Sequence, residues 1–320
     1  MQAATLPPGD GRAARPRLYW WKEAAIIVAF YALYSLIRNQ LGSERVSAGS
    51  VGEQAFNNAM RVIQWERWMG LYHEESIQDF FIGWNWLIKT MNVYYGTAHF
   101  VVTIGVFILL YWKRPWVFPQ WRNALAFTTA FALVGFRFFP LMPPRLLDVT
   151  CEQFGGACIE SGFRGPFVFG YVDTLAEIGG LWSFDSGGLA TISNQYAAMP
   201  SLHIGWSAWC AVAMWPLLRR RWHRAVVLGY PLLTLFCIVV TANHFWLDGA
   251  GGLAVFLVGL VAGWGLHRWN IGRQIRRELT APPTRHSDRE PVTASAAAPG
   301  GGSSPGSVGA DVARANPRPG

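Results

Sequence analysis

Residues 90–112 read TMNVYYGTAHFVVTIGVFILLYW, a run with no Asp, Glu, Lys or Arg. A helix of about 20 mostly apolar residues crosses the roughly 30 Å hydrocarbon core of a bilayer while pairing its own backbone groups. The run is therefore expected to span a membrane. Working outward from it, residues 18–37, 123–142, 199–218, 225–247 and 249–266 read the same way, with Arg137 the one charge in 123–142 and none in the last three. Pro231 does not disqualify its segment, since lipid-embedded helices tolerate proline. Composition agrees: 52% of residues are hydrophobic and 14% charged, with 17 Trp and 20 Phe. Soluble domains carry roughly 25% charged residues, so an ordinary cytosolic enzyme, a disordered bulk and a disulfide-knotted peptide are all excluded. The expected fold is all-α, a polytopic bundle of six transmembrane helices.

The net charge of +8 has a positional meaning. Arg12, Arg15 and Arg17 precede the first span. Lys113, Arg114 and Arg122 lie between the second and third, Arg219, Arg220, Arg221 and Arg224 between the fourth and fifth, and Arg268, Arg273, Arg276 and Arg277 at or beyond the end of the sixth. With six spans, all four clusters fall on one side, which the positive-inside rule makes cytoplasmic, with both termini inside. Clusters that hug helix ends serve orientation, so a nucleic-acid partner is not expected. No cleavable signal peptide is expected either, because the apolar run from Leu18 is long and no small-residue cleavage site follows it promptly. Residues 281–320 are rich in Pro, Gly, Ser and Ala and lack aromatics; they are expected to form a disordered cytoplasmic tail. The chain thus reads as a basic cytoplasmic N-terminus (1–17), one membrane domain (18–270) and that tail (281–320), in a bacterial plasma membrane.

The outer side receives 39–88, 143–198 and the turn near 243–248. In the first of these, NNAMRVIQWERWMGLYHEESIQDFF mixes apolar and charged residues at helical spacing. Trp65, Trp68, Trp84 and Trp86 suit a helix lying in the interface. Glu66, His73, Glu74 and Glu75 read there as solvated or pairing charges. Cys210 and Cys237 fall inside spans, as small apolar residues. Cys151 and Cys158 flank EQFGGA in an outer loop; an external disulfide and two unpaired thiols are both open readings. No His or further Cys lies near enough to complete a metal set, and no metal or other cofactor is expected.

Ionisable groups at membrane ends are costly and usually functional. Arg145 follows the third span in FPLMPPRLL, His203 opens the fourth in AMPSLHIGW, and His244 and Asp248 occupy the outer turn TANHFWLDGAGG. His244 and Asp248 are four apart, on one face if the turn is helical. A carboxylate bonded to one imidazole nitrogen fixes the tautomer and makes the other nitrogen a better nucleophile. His203 could protonate a leaving oxygen, and the Arg145 guanidinium fits phosphate oxygens. Together these describe phosphoryl transfer through a phosphohistidine, without metal. His99, in mid-span with no partner motif, reads as a structural histidine, and Arg137 as a snorkelling residue.

At these positions the chain resembles the type 2 phosphatidic acid phosphatase superfamily, whose members have six spans and three motifs, KxxxxxxRP, PSGH and SRxxxxxHxxxD. Pro200-Ser201-Leu202-His203 stands for the second, and His244 and Asp248 keep the spacing of the third. PSLH, together with Pro143-Pro144-Arg145, is most similar to the branch of inositol phosphorylceramide synthases and their bacterial relatives. The resemblance covers roughly residues 50–270. It implies His244 as nucleophile, Asp248 as its orienting carboxylate, His203 as acid and then base, and Arg145 as phosphate ligand. The family's third-motif Arg falls at Ile238 and its first-motif Lys at Phe138, so two cationic phosphate ligands are absent. Arg137, Asn243, Ser201 and the run Ser193-Asn194-Gln195-Tyr196 are candidates to make good the loss. Fewer cations suit a phosphodiester better than a monoester. The implied activity is a lipid phosphotransferase at the extracytoplasmic face, inositol phosphotransferase-like. It takes a phospholipid or lipid-phosphate substrate and a lipid alcohol acceptor. A lipid phosphate phosphatase using the same residues is the alternative, and a transporter or non-catalytic membrane protein a third reading. Against transport stand the lack of an internal repeat and of mid-span charge.

Overall fold

The computed structural model describes residues 18–42, 50–147, 169–180 and 196–280. Among them are nine α-helices and no named strand: α1 (Trp20–Gly42), α2 (Ser50–Met69), α3 (Glu74–Ile82), α4 (Asn85–Lys113), α5 (Phe118–Phe138), α6 (Thr174–Glu177), α7 (Leu202–Met214), α8 (Arg221–Val240) and α9 (Trp246–Thr280). The chain divides into two units, Met1–Arg276 and Arg277–Gly320. Of the second, only the last turn of α9 is described. The basic N-terminus 1–17, the pair Cys151 and Cys158, residues Ser193 to Gln195 and the tail 281–320 lie outside the described residues.

The all-α reading holds, and the protein is a membrane protein. Helices α4, α8 and α9 (over Trp246–Gln274) are long and apolar enough to cross a bilayer. The other three predicted stretches are helical too, as α1, α5 and α7. They differ in length or polarity. α7 has 13 residues, about 20 Å at 1.5 Å per residue, and continues as a 3-10 turn over Trp215–Leu217. Polar residues such as Gln120, Arg122 and Asn123 open α5, and Glu23 of α1 forms a close ion pair with Arg122. Pro231 sits inside α8 without ending it.

Two clusters carry the packing around the site. At one end of the bundle, Ala55, Phe56, Ala59, Met60 and Ile63 of α2 pack on Leu141, Met142, Leu146, Phe169, Tyr171, Ala242 and Phe245. The Trp residues predicted for an interface do face outward: Trp65, Trp68, Trp84 and Trp86 are all exposed. Deeper along the spans, Leu110, Trp121, Trp209 and Phe256 join α4, α5, α7 and α9, with the indole N–H of Trp209 donating to the Trp121 carbonyl at 2.9 Å.

Close backbone approach holds α9 against α5. A Cβ on Gly259 would lie 2.4 Å from Thr128 Oγ1 and 2.7 Å from Thr128 N, and one on Gly263 would lie 2.5 Å from Ala124 N. Small residues at such crossings let helices meet where lipid removes the hydrophobic incentive. Gly259→Val is expected to destabilise the protein by about 1–3 kcal/mol, seen as a lower Tm in detergent. Gly265→Ala, whose Cβ meets nothing within 4 Å, serves as the control; equal Tm values for the two variants would mean that α5 and α9 do not pack this way.

Candidate functional site

The site is assembled where three stretches of chain converge. α8 ends at Val240, and the backbone reverses through Thr241 to Phe245. The carbonyl of Ile238 accepts the N–H groups of Asn243 (2.9 Å) and His244 (3.1 Å). Ala242 takes φ +51°, a left-handed conformation costing a side-chain-bearing residue roughly 1–2 kcal/mol. Its carbonyl accepts the Arg145 N–H at 2.8 Å, which ties the Pro-Pro-Arg element to this turn. α9 then begins, with Asp248 in its first turn, where the helix dipole favours a carboxylate. Asp248 Oδ2 accepts the Phe245 N–H at 3.0 Å, and the Asp248 carbonyl accepts the Ser201 N–H at 2.9 Å. The last bond joins the PSLH stretch to the His–Asp turn.

The resulting geometry couples two histidines. His244 Nδ1 lies 3.2 Å from Asp248 Oδ2, and both residues are buried, at 3% and 0% exposure. Nδ1–H therefore donates to the carboxylate, leaving the Nε2 lone pair available. His244 Nε2 has no hydrogen-bond partner among the described residues. The His203 ring stands 5.6 Å from the His244 ring, centroid to centroid, at 63°. Tyr95 of α4 stacks on His203 at 4.2 Å and 22°. His99, one turn further along α4, meets His203 edge to face at 4.4 Å, with its Nδ1 3.0 Å from the Tyr95 carbonyl. His99 is thus hydrogen-bonded within α4, in keeping with its reading as a structural histidine, and it also has a neighbour the sequence did not show. It packs directly on His203, because α4 passes alongside α7 with Tyr95 and His99 on the facing side.

The remaining predicted residues divide. Arg145 is buried, in the 3-10 turn Pro144–Leu146, and its guanidinium donates to Asp173 Oδ2 at 2.5 Å. Asp173 also caps α6, accepting from Leu175 N and Ala176 N. Ser201 is fully buried, and its Oγ has no partner among the described residues. Asn243 is buried, but its amide donates to Thr241 Oγ1 at 2.8 Å. Arg137 is not brought in. It is exposed at the end of α5 with its guanidinium over the Phe138 ring at 5.9 Å. Phe138, which stands where the family has Lys, is 75% exposed. Ile238, which stands for the family Arg, is buried and lines a narrow cleft beside His203, with Tyr94, Tyr95, His99, Tyr230, Thr234 and Cys237. Among the described residues, no group of three or more His, Cys, Asp or Glu is arranged to hold a metal ion.

Glu66 and Glu74 overturn the solvated half of their reading as solvated or pairing charges, since both are 0% exposed. Glu66 Oε1 accepts the Leu247 N–H at 2.8 Å and Glu74 Oε1 the Trp246 N–H at 3.1 Å. The signal was present in the spacing: Glu66 sits three and seven residues after Ile63 and Ala59, on the buried face of α2. Asp173, in a loop of mixed composition, gave no comparable signal.

The family model described as the PAP2 superfamily matches residues 60–262, from α2 to α9, and takes in His203, His244 and Asp248. The chain belongs to the PAP2 superfamily. The chain is also similar to the inositol phosphorylceramide synthase catalytic subunit aur1 of Schizosaccharomyces pombe, at 25% identity over 170 residues, which is 52% of this chain and 38% of that one. The match thus spans about two fifths of that relative's length. No solved structure matches the chain.

Proposed function

We propose that this PAP2 protein is an integral membrane lipid phosphotransferase. It moves a phospho-head group, such as phosphoinositol, onto a lipid alcohol by way of a phosphohistidine on His244. The observation that carries the reading is the buried His244–Asp248 pair, with Nε2 unpartnered among the described residues and His203 facing it. In the first step, Nε2 attacks phosphorus and the bond to the leaving alkoxide breaks, His203 supplying the proton. In the second, His203 takes the proton of the incoming alcohol, whose oxygen attacks phosphorus and returns the electron pair to Nε2. Asp248 holds the Nδ1–H tautomer and stabilises the cationic phosphoimidazole. Arg145 and Ser201 bind the phosphate, with Asn243 donating to a developing oxyanion.

Head-group transfer is favoured over monoester hydrolysis by the charge inventory. Asp173 already neutralises Arg145, and Ile238 and Phe138 replace two family cations, so the site suits a singly charged phosphodiester. The relative named as an inositol phosphorylceramide synthase subunit points to the same reaction class. Six spans with both termini cytoplasmic, from the four basic clusters, put His203, His244 and Asp248 on the extracytoplasmic side. In this reading 18–270 is one membrane domain between the basic N-terminus 1–17 and the tail 281–320.

The test is product analysis with phosphatidylinositol labelled in its phosphate, with and without a long-chain lipid alcohol, using purified protein in detergent and excess chelator. Labelled head group on the alcohol, blocked by orthovanadate, is the expected result. Release of the label to water alone decides for a lipid phosphatase. Activity that appears only on adding a divalent metal overturns the metal-independent phosphohistidine scheme.

A further inference from the structure

Three consecutive backbone amides at the start of α9 are held by three carboxyl groups. The Phe245 N–H goes to Asp248, the Trp246 N–H to Glu74 and the Leu247 N–H to Glu66. Orphan amides at a helix start need such partners, but one carboxylate cap usually suffices. Here two further acids, from α2 and from the start of α3, reach the same turn. Both are fully buried, and because they hold the adjacent amides of Trp246 and Leu247 their carboxyl groups are close neighbours. Two adjacent ionised carboxylates in that setting would repel strongly, so one carries a proton.

Donor bookkeeping says which. Both oxygens of Glu74 already accept N–H groups, Oε1 from Trp246 at 3.1 Å and Oε2 from His73 at 3.0 Å. Glu66 Oε1 accepts from Leu247, while its buried Oε2 has no hydrogen-bond partner among the described residues. The proton belongs on Glu66 Oε2, directed at Glu74. We propose that Glu66 and Glu74, bridged by this proton, are positioning residues that fix the first turn of α9 and through it the His244 imidazole. The inference rests on His244 being the nucleophile. It adds a buried acid pair, remote in sequence, that sets where the nucleophile stands.

Burial, then the neighbouring Glu74 carboxyl, push the Glu66 carboxyl up from its usual range to about 10, with Asp248 acting in the same direction and the Leu247 N–H opposing. The groups facing Glu66 are therefore Glu74 from α3 and Asp248 from α9, the latter bonded to His244. A carboxyl held neutral in the fold but ionising near 4.5 when unfolded favours the fold fully below that pH. The contribution is lost progressively as pH rises toward 10. Glu66→Gln mimics the protonated acid at every pH, whereas Glu74→Gln places an amide donor against the His73 N–H or the Trp246 N–H.

The experiment uses the full chain in detergent, with orthovanadate as the probe of a nucleophilic imidazole and Tm followed from pH 5 to 9. Glu66→Gln is expected to keep most of the vanadate affinity, with a Tm advantage over wild type that widens as pH rises. Glu74→Gln, still folded by Tm and size-exclusion profile, is expected to bind vanadate about tenfold or more weakly, since small misplacements of a reacting group are costly. His244→Ala is measured in parallel. If His244→Ala loses vanadate while both glutamine variants keep it, or both lose it equally, the positioning role of the pair is overturned. If His244→Ala binds as wild type does, the reading of His244 itself fails. Should Glu74→Gln not fold, parallel Tm curves for wild type and Glu66→Gln would by themselves overturn the shared proton.

Discussion

His244→Ala is expected to lower kcat for head-group transfer by at least ~10⁴-fold, the scale seen when a covalent nucleophile is removed from a coupled set. The size follows from the absence of a substitute. His203 lies 5.6 Å from the His244 ring, but its ring is stacked on Tyr95, whereas His244 is set by its bond to the Asp248 carboxylate. Without Nε2, water or alcohol must attack the phosphodiester directly, with only electrostatic help. The measurement is single-turnover transfer of labelled phosphate, together with acid-labile labelling of the protein. A rate near wild type would mean that the nucleophile is another group.

Asp248→Asn is expected to cost about 10²–10³-fold in kcat, with substrate binding changed far less. The carboxylate accepts from two donors, His244 Nδ1–H and Phe245 N–H, both through Oδ2. An asparagine can still accept from the Phe245 amide, so the turn keeps its bond. The same oxygen still faces His244 Nδ1, so the tautomer is kept and the NH2 group falls at the buried Oδ1 position, unpartnered among the described residues. What is lost is the negative charge that stabilises the cationic phosphoimidazole, so kcat should fall much further than Tm. Equal losses of Tm and kcat would show that Asp248 acts through stability instead.

How much of this was legible beforehand depended on range. The spans could be read because membrane burial imposes a local rule on composition, and residues 90–112 satisfy it within α4. The His244–Asp248 pair could be read because four residues make one helical turn. The meeting of that turn with PSLH, through the Ser201 amide and the Asp248 carbonyl, could be anticipated only coarsely, from the order of the spans and from resemblance, since no periodicity spans the distance. His99 looked isolated because its partner is on another helix. Glu66 and Glu74 looked solvated because a carboxyl's usual fate is water, and their real partners are backbone amides far along the chain. Arg145 was found, but Asp173, which holds it, was not; an ion pair between two loops leaves no periodic trace. The span count was the weakest inference, since α7, at 13 residues, shows that an uncharged stretch need not be one long helix.

The segment between α5 and α7 is pinned at its ends and in its middle. Leu141 pairs with Ala197 in a parallel bridge. Between them, Gln78 holds the Val172 backbone through both its N–H and carbonyl, and Asn92 donates to the Thr174 and Gly179 carbonyls. Val172 and Thr174 stand on either side of Asp173, so the two clamps from α3 and α4 also fix the carboxylate that holds Arg145. A side chain outside the His–Asp pair, Gln78 or Asn92, thereby governs how firmly that guanidinium is tethered.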